Sequence, residues 1–137
     1  MSEAVIDTNA LIFYIVEDSR EHARAVEILN NLNKWFLPHI VIYELAWFFR
    51  SVNVPRDRAI DILSNLINYR KVVLVCDNDI VKWVLRIMRD AGWGGLGSFN
   101  DLVILGTAYV LGKPLFTFDE ELRRRAKRVG VEVLGGV

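Results

Sequence analysis

Short apolar runs alternate with longer helical patterns along this 137-residue chain, and the alternation limits the folds open to it. Five runs have the character of short buried strands: residues 4–6, 35–37, 72–75, 115–117 and 131–134. Strands that alternate with helices form mostly parallel sheets covered by helices. The chain is therefore predicted to form a single-domain α/β/α sandwich over residues 1–137, with a sheet of about five strands.

Helical patterns fill the segments between these runs. Amphipathic spacing, a proline near a helix start and glycines after helix ends predict helices over 10–15, 21–32, 40–52, 59–69, 79–91, 98–111 and 120–129. Residues 40–52 are apolar at almost every position, so this segment is predicted to be a central, buried helix. Cys76 ends the apolar run VVLVC and is expected to be a small core residue.

Composition narrows the classes of protein that fit. The 17 basic and 17 acidic residues balance, which disfavours bulk packaging of nucleic acid but leaves room for a local basic patch. No apolar run approaches the ~20 residues that span a bilayer, and no basic segment of a secretory signal precedes Asp7. A single cysteine fits a reducing compartment, so a cytoplasmic protein is expected. The hydrophobic fraction of 53% predicts a buried interface, most simply a homodimer.

One acidic residue interrupts the first apolar run. In AVIDTNALIFYI, Asp7 follows the predicted strand and precedes the first helix. In parallel sheets, binding sites form outside the carboxyl ends of the strands, which is where Asp7 falls. A simpler explanation is a turn, since Asp bonds readily to nearby backbone N–H groups. A recurrence of the same placement elsewhere in the chain decides between the two.

Three further acidic residues lie within or directly after apolar segments. They are Glu44 in IVIYELAWFF, Asp101 in SFNDLVILG and Asp119 at the end of PLFTFD. Asp101 could belong to a capping box opened by Ser98, and Asp119 could cap the last helix or pair with Arg123. Glu44 has only apolar neighbours at helical spacing, so a cation must reach it from elsewhere.

Four acids placed this way favour one shared acidic pocket. Carboxylates in one place repel each other unless a hard divalent cation binds them, and oxygen ligands suit Mg²⁺ or Mn²⁺. Zinc is disfavoured, because Cys76 stands alone and His22 and His39 fit no ligand spacing. One or two such cations can activate water and neutralise the transition state of phosphodiester hydrolysis without any histidine.

The order of these motifs resembles the PIN domain over essentially the whole chain. DTN follows the first strand, Glu44 lies within a helix, Asn100-Asp101 opens a late helix, and Thr117-Phe118-Asp119 follows a strand. The size also resembles the VapC-type toxins of toxin–antitoxin pairs. The resemblance implies a metal-dependent ribonuclease that leaves 5′-phosphate and 3′-hydroxyl ends, with an antitoxin protein as partner.

The resemblance also implies roles for single residues. Asp7, Glu44, Asp101 and Asp119 match the family's acidic quartet. Asp7 and Asp101 would hold or bridge the metal, while Glu44 and Asp119 would complete the site or bind metal-bound water. Asn9 and Thr117 match polar positions that orient these ligands.

The sequence indicates contacts to an RNA substrate less clearly than it indicates the acidic site. The segment LRRRAKR contains Arg123, Arg124 and Arg125 directly after Asp119, where they could bind backbone phosphates or simply form a solvated helix face. Trp93, in GWGGLG, could stack on an unpaired base, although packing beneath a loop is the favoured interpretation. The aromatic residues at 47–49 are expected in the core or at a dimer contact.

Four other functions are alternatives to a toxin ribonuclease. A haloacid-dehalogenase-type phosphatase requires a second Asp where the chain has Asn9, and a receiver domain requires its lysine after a strand, whereas Lys113 precedes one. A catalytically silent PIN-like module that binds RNA or a partner remains open, as does an RNA-processing nuclease that is not a toxin.

Overall fold

The fold is built on a five-stranded sheet in which every neighbouring pair of strands is parallel. The structure is a computed structural model and describes residues 2–135, so Met1, Gly136 and Val137 of the predicted domain lie outside the described residues. The strands are β1 (Glu3–Ile6), β2 (Lys34–Pro38), β3 (Val72–Val75), β4 (Leu115–Phe116) and β5 (Val133–Leu134). Their order across the sheet is β3-β2-β1-β4-β5.

Seven α-helices within residues 2–135 connect and cover these strands. They are α1 (Thr8–Ile15), α2 (His22–Asn31), α3 (His39–Ser51), α4 (Arg56–Ile67), α5 (Asn78–Ala91), α6 (Phe99–Leu111) and α7 (Glu120–Arg128), with a short 3₁₀ turn at Leu96–Ser98. The predicted α/β/α sandwich with a parallel sheet is confirmed, and the boundaries differ from prediction by one to three residues at most ends. None of these helices combines the length and apolar character that a membrane crossing requires.

The central buried helix is α6, and the prediction that α3 would fill this role is wrong. Residues 102–108 of α6 are buried without interruption, and the helix packs against both β1 and β2. Gly106 allows close approach to α5, since an added Cβ would stand 2.8 Å from the ring of Trp83. By contrast, α3 buries only Val41, Leu45 and Phe49, one position per turn.

Cys76 is a second correction. The predicted core thiol lies just after β3, which is an edge strand of the sheet, and its side chain is exposed. Leu74, within the same apolar run, is also 41% exposed. An apolar run on an edge strand can therefore leave side chains in contact with solvent, which the letters VVLVC do not reveal.

The chain reverses its direction across the sheet beside β1. From β1 it moves outward through β2 and β3, then returns to build β4 and β5 on the other side of β1. The carboxyl ends of β1 and β4 are neighbours, because Ile6 pairs with Phe116. Ligands of open α/β sheets bind at such a reversal, outside the carboxyl ends of the strands.

Candidate active site

A cleft of about 540 Å³ opens at the carboxyl ends of β1 and β4. All four acids singled out in the sequence line it: Asp7, Glu44, Asp101 and Asp119. They come from four places in the chain, after β1, within α3, in the first turn of α6 and after β4. The fold thus brings all four predicted acids to one cleft.

Asp7 is the most buried of the four, with 4% of its surface exposed. Its Oδ1 accepts a hydrogen bond from the Thr8 N–H at 2.6 Å, and its Oδ2 accepts one from the Thr117 hydroxyl at 2.7 Å. Loss of solvent raises the pKa of the Asp7 carboxyl to about 7, and the charges of Asp101 and Glu44 act in the same direction. The turn explanation is also satisfied, since Asp7 caps α1. Capping alone does not account for a buried carboxylate facing other acids.

Glu44 is held by two polar side chains of the cleft. Its Oε1 accepts a hydrogen bond from the Thr8 hydroxyl at 2.5 Å, and its Oε2 accepts a long one from the Asn100 amide at 3.5 Å. The predicted cation is not supplied by the protein, because none of the ion pairs within residues 2–135 includes Glu44. Neutral donors orient this carboxylate but leave its charge uncompensated.

Asp101 lies in the first turn of α6, close to the negative charges of Asp119 and Glu44. The pKa of its carboxyl is raised to about 6, mainly by partial burial and also by the charges of Asp119 and Glu44, while Arg125 opposes this shift. The alternative of a capping box opened by Ser98 is not realised, because the side chain of Ser98 makes no capping hydrogen bond. A capping role therefore does not explain why Asp101 lies at this position.

Asp119 does have the local role that its position suggests. Its Oδ1 accepts a hydrogen bond from the Leu122 N–H at 3.0 Å and caps α7. Arg123, the predicted ion-pair partner, instead donates to the backbone carbonyls of Thr117 and Leu134. Asp119 also lines the cleft, so capping and a role in the site are compatible.

Thr117 and Asn9 form hydrogen bonds that connect the acidic residues of the cleft. Thr117 is fully buried and donates to Asp7, and its oxygen accepts hydrogen bonds from the Asp119 N–H at 3.0 Å and the Asn9 amide at 3.4 Å. Asn9 in turn accepts a hydrogen bond from the Phe118 N–H at 3.3 Å. Thr117 is thus in direct contact with Asp7 and Asp119, and Asn9 contacts Thr117; that they orient metal ligands stays a prediction.

Apart from Ser51, which donates to the Phe48 carbonyl of its own helix, two polar residues of the cleft were not identified as site residues from the sequence, Thr8 and Asn100. Both contact Glu44, and both are adjacent in sequence to an acid that was identified, Asp7 and Asp101. A polar residue beside a site acid was the available signal. It is weak, because Thr and Asn at the start of a helix usually serve the backbone.

The set of donors fits a hard divalent cation. Carboxylate and amide oxygens surround the cleft, none of the four acids has an ion-pair partner among the described residues, and two of them have raised pKa values. Within residues 2–135, however, no three His, Cys, Asp or Glu side chains converge closely enough to hold an ion as arranged. Mutual repulsion of uncompensated carboxylates is a physical reason for such separation.

The basic segment after Asp119 divides into two groups. Arg123 and Arg125 are engaged within the protein, Arg123 with backbone carbonyls and Arg125 with Glu121 at 2.7 Å. Arg124 is exposed. Trp93 is buried and lies beneath the guanidinium of Arg125, which agrees with the packing role favoured for it.

The architecture is similar to several solved structures. A chain of VapBC2 from Rickettsia felis, bound to a DNA fragment from its promoter, aligns over 98% of both chains with 16% identity and a TM-score of 0.66. VapC20 of Mycobacterium tuberculosis, a toxin that cleaves the sarcin-ricin loop, aligns over 90% of this chain and 95% of its own, with 14% identity and a TM-score of 0.75. FitAcB of Neisseria gonorrhoeae aligns over 96% of both chains, with 17% identity and a TM-score of 0.62.

Sequence comparison gives the family directly. No curated protein sequence matches the chain significantly. The family model of the PIN domain matches residues 4–128, a span that runs from β1 to the end of α7 and includes all four acids of the cleft. The chain therefore belongs to the PIN domain family.

Proposed function

We propose that the protein is a metal-dependent ribonuclease whose site is formed by Asp7, Glu44, Asp101 and Asp119. The observation that carries the proposal is that four acids from four separate elements line one cleft at the reversal point of a parallel sheet. A structural role explains Asp119 and part of Asp7, but it does not explain why Glu44 and Asp101 face the same space without a cation.

Mg²⁺ or Mn²⁺ is the cofactor that this cleft would bind, with Asp7 and Asp101 as the principal ligands. Such an ion, when bound, lowers the pKa of water and neutralises charge that develops on a phosphate. Each carboxylate oxygen has two lone pairs, so the Asp7 oxygens that accept hydrogen bonds can still bind a cation. Glu44 and Asp119 would complete the site or hold metal-bound water.

The neighbouring polar residues fix the directions of these carboxylates. Thr117 holds Asp7 from one side while the Thr8 backbone holds it from the other, and the Thr8 hydroxyl orients Glu44. Oriented carboxylates need little rearrangement when substrate arrives, which is the condition for electrostatic catalysis. Asn9 supports the site indirectly through Thr117.

We further propose that the enzyme is the toxin of a toxin–antitoxin pair that acts on RNA in the cytoplasm. Its support is the PIN family together with a fold shared with VapC20 and with a chain of the VapBC2 complex. A homodimer is proposed as well, because Leu85, Tyr109 and Val110 leave apolar surface on α5 and α6 exposed.

Cleavage of single-stranded RNA tests the enzymatic proposal. The wild type should cleave with Mn²⁺ and stop in EDTA, while Asp7→Asn and Glu44→Gln should lose cleavage and keep their circular dichroism spectra. Glu27→Gln is the matched control, since Glu27 is exposed on α2 and outside the cleft. Full activity in either folded variant, or cleavage that persists in EDTA, would reject the proposed site.

A further inference from the structure

One face of α3 lines the acidic cleft, and most of this face has no part in the proposed chemistry. Glu44, Trp47, Phe48 and Ser51 follow each other at the spacing of one helical face, and all four line the cleft. Glu44 is the proposed catalytic acid of this face. The other three side chains therefore form the wall that a substrate would meet next to it.

Trp47 is unusual on this wall because its indole is left in solvent. It is 67% exposed, whereas Trp35 and Trp93 are buried and Trp83 packs against Tyr109. The guanidinium of Arg50 lies over the Trp47 ring, 5.1 Å from its centre, in a cation–π contact. A large aromatic surface is thus held beside the acids without being used by the protein core.

The acidic cleft creates a difficulty for binding RNA that such a surface can resolve. Without a bound cation, the four carboxylates repel the phosphates of a substrate, so contacts to phosphate at the metal-free cleft cannot by themselves supply affinity. Stacking of a base on an aromatic ring does not depend on phosphate charge, and every nucleobase has a face to stack. An exposed indole at the rim provides such a contact.

We propose that Trp47 is a stacking surface for one unpaired nucleobase of the RNA substrate, next to the bond that is cleaved. This inference rests on the proposed ribonuclease function and names the form of its substrate. Trp47 lies three residues after Glu44, about 4.5 Å along the helix axis, so one nucleotide can reach both. Arg50 covers part of the ring and adds a positive charge next to the stacked base.

A consequence is that the enzyme selects single-stranded RNA. A base within a duplex is already stacked on its neighbours and must be unpaired and unstacked before it can lie on Trp47, which disfavours binding of a duplex. Tyr43 provides a matched control, because it is 59% exposed on the same helix but does not line the cleft. Loss of a generic exposed aromatic side chain can therefore be separated from loss of the stacking surface.

The binding experiment uses hexa-adenylate RNA in EDTA, so that it needs neither metal nor cleavage. Tryptophan fluorescence of the wild type should be quenched saturably by hexa-adenylate and not by a longer, G·C-rich RNA duplex that stays fully paired under the assay conditions. Trp47→Phe should remove most of this quenching, since Trp47 is the exposed member of the chain's four tryptophans. By fluorescence anisotropy of labelled hexa-adenylate, Trp47→Ala should weaken binding about tenfold or more and Tyr43→Ala should leave it unchanged.

The kinetic constants and the mass of the protein in solution distinguish failure of this inference from failure of the proposed function. With Mn²⁺, Trp47→Ala should raise KM about tenfold with little change in kcat, because the contact is made before and during the reaction. Equal RNA binding by wild type and Trp47→Ala would overturn the inference while leaving cleavage, and hence the proposed function, intact. Unchanged binding with an altered mass by light scattering would make Trp47 a contact between copies of the chain. If Trp47 is required for binding but no protein cleaves RNA, the proposed function fails, the placement of Trp47 next to a cleaved bond fails with it, and only a stacking contact to unpaired RNA is left.

Discussion

Replacing Asp7 by asparagine should stabilise the metal-free protein by an amount that grows with pH. Burial raises the pKa of Asp7 from 3.8 to about 7, so the folded state binds this proton more tightly than the unfolded chain does. Wild-type stability therefore falls as pH rises from about 4 to about 7, and this contribution is constant at higher pH. A pKa raised by about three units corresponds to a loss of about 4 kcal/mol on that plateau.

The asparagine does not recover all of this free energy. Thr117 donates to Asp7 Oδ2 while its oxygen already accepts from Asp119 and Asn9, so an amide nitrogen facing Thr117 would add a further donor. Turning the amide over places its nitrogen against the N–H of Thr8 instead. One hydrogen bond is lost in either orientation, at about 1 kcal/mol. The net gain is about 3 kcal/mol near pH 8 and about 0.5 kcal/mol near pH 5.

Urea denaturation in EDTA measures this difference at both pH values. The stability of Asp7→Asn relative to wild type should increase by about 2–3 kcal/mol between about pH 5 and about pH 8. Asp101, whose pKa is raised to about 6, titrates in both proteins and so largely cancels. Asp61→Asn, an exposed change on α4, should stay within about 0.5 kcal/mol throughout. A pH-independent difference, or an Asp7→Asn protein less stable than wild type near pH 8, would refute the assignment of Asp7 as a desolvated carboxylate.

Three further outcomes are expected. Gly106→Ala should lower the thermal midpoint by an amount equivalent to about 1–2 kcal/mol, because the added Cβ would stand 2.8 Å from the ring of Trp83. Gly97→Ala should leave the midpoint unchanged, because a Cβ at Gly97 has no atom within contact distance. Arg124→Ala should weaken RNA binding and reduce the slope of log affinity against log salt by about one, and Arg58→Ala, exposed on α4, should leave the slope unchanged. Light scattering at micromolar concentration should give about twice the chain mass of 15.7 kDa, and a value of about 16 kDa would contradict the dimer.

The fold could be predicted because its signals are local. Each strand is a short apolar run bounded by turn residues, and the alternation with helices leaves few arrangements besides a parallel sheet. The identity of the buried helix could not be predicted in this way. Both α3 and α6 are rich in apolar residues, but α6 crosses β1 and β2 while α3 turns Tyr43 and Trp47 to solvent. That difference depends on packing between distant elements.

The candidate site was predictable as a set of acids and not as a network. An acid in an apolar run is conspicuous wherever it occurs, so Asp7 and Glu44 could be identified without knowing their neighbours. Thr8 joins them, because its backbone N–H donates to Asp7 and its hydroxyl donates to Glu44, 36 residues away in the sequence. Long-range contacts of common polar residues leave no periodic trace in a sequence. The cation expected beside Glu44 was a prediction of charge balance, and among the described residues neutral donors take its place.

Titration calorimetry with Mn²⁺ tests most directly whether the four acids form one metal site. Wild type should bind Mn²⁺, and Asp7→Asn, Glu44→Gln, Asp101→Asn and Asp119→Asn should each weaken binding by about tenfold or more, because every one of them removes a carboxylate from the same cleft. Asp61→Asn should bind as wild type does. No detectable binding by wild type, or undiminished binding by a correctly folded Asp7→Asn protein, would contradict a shared metal site.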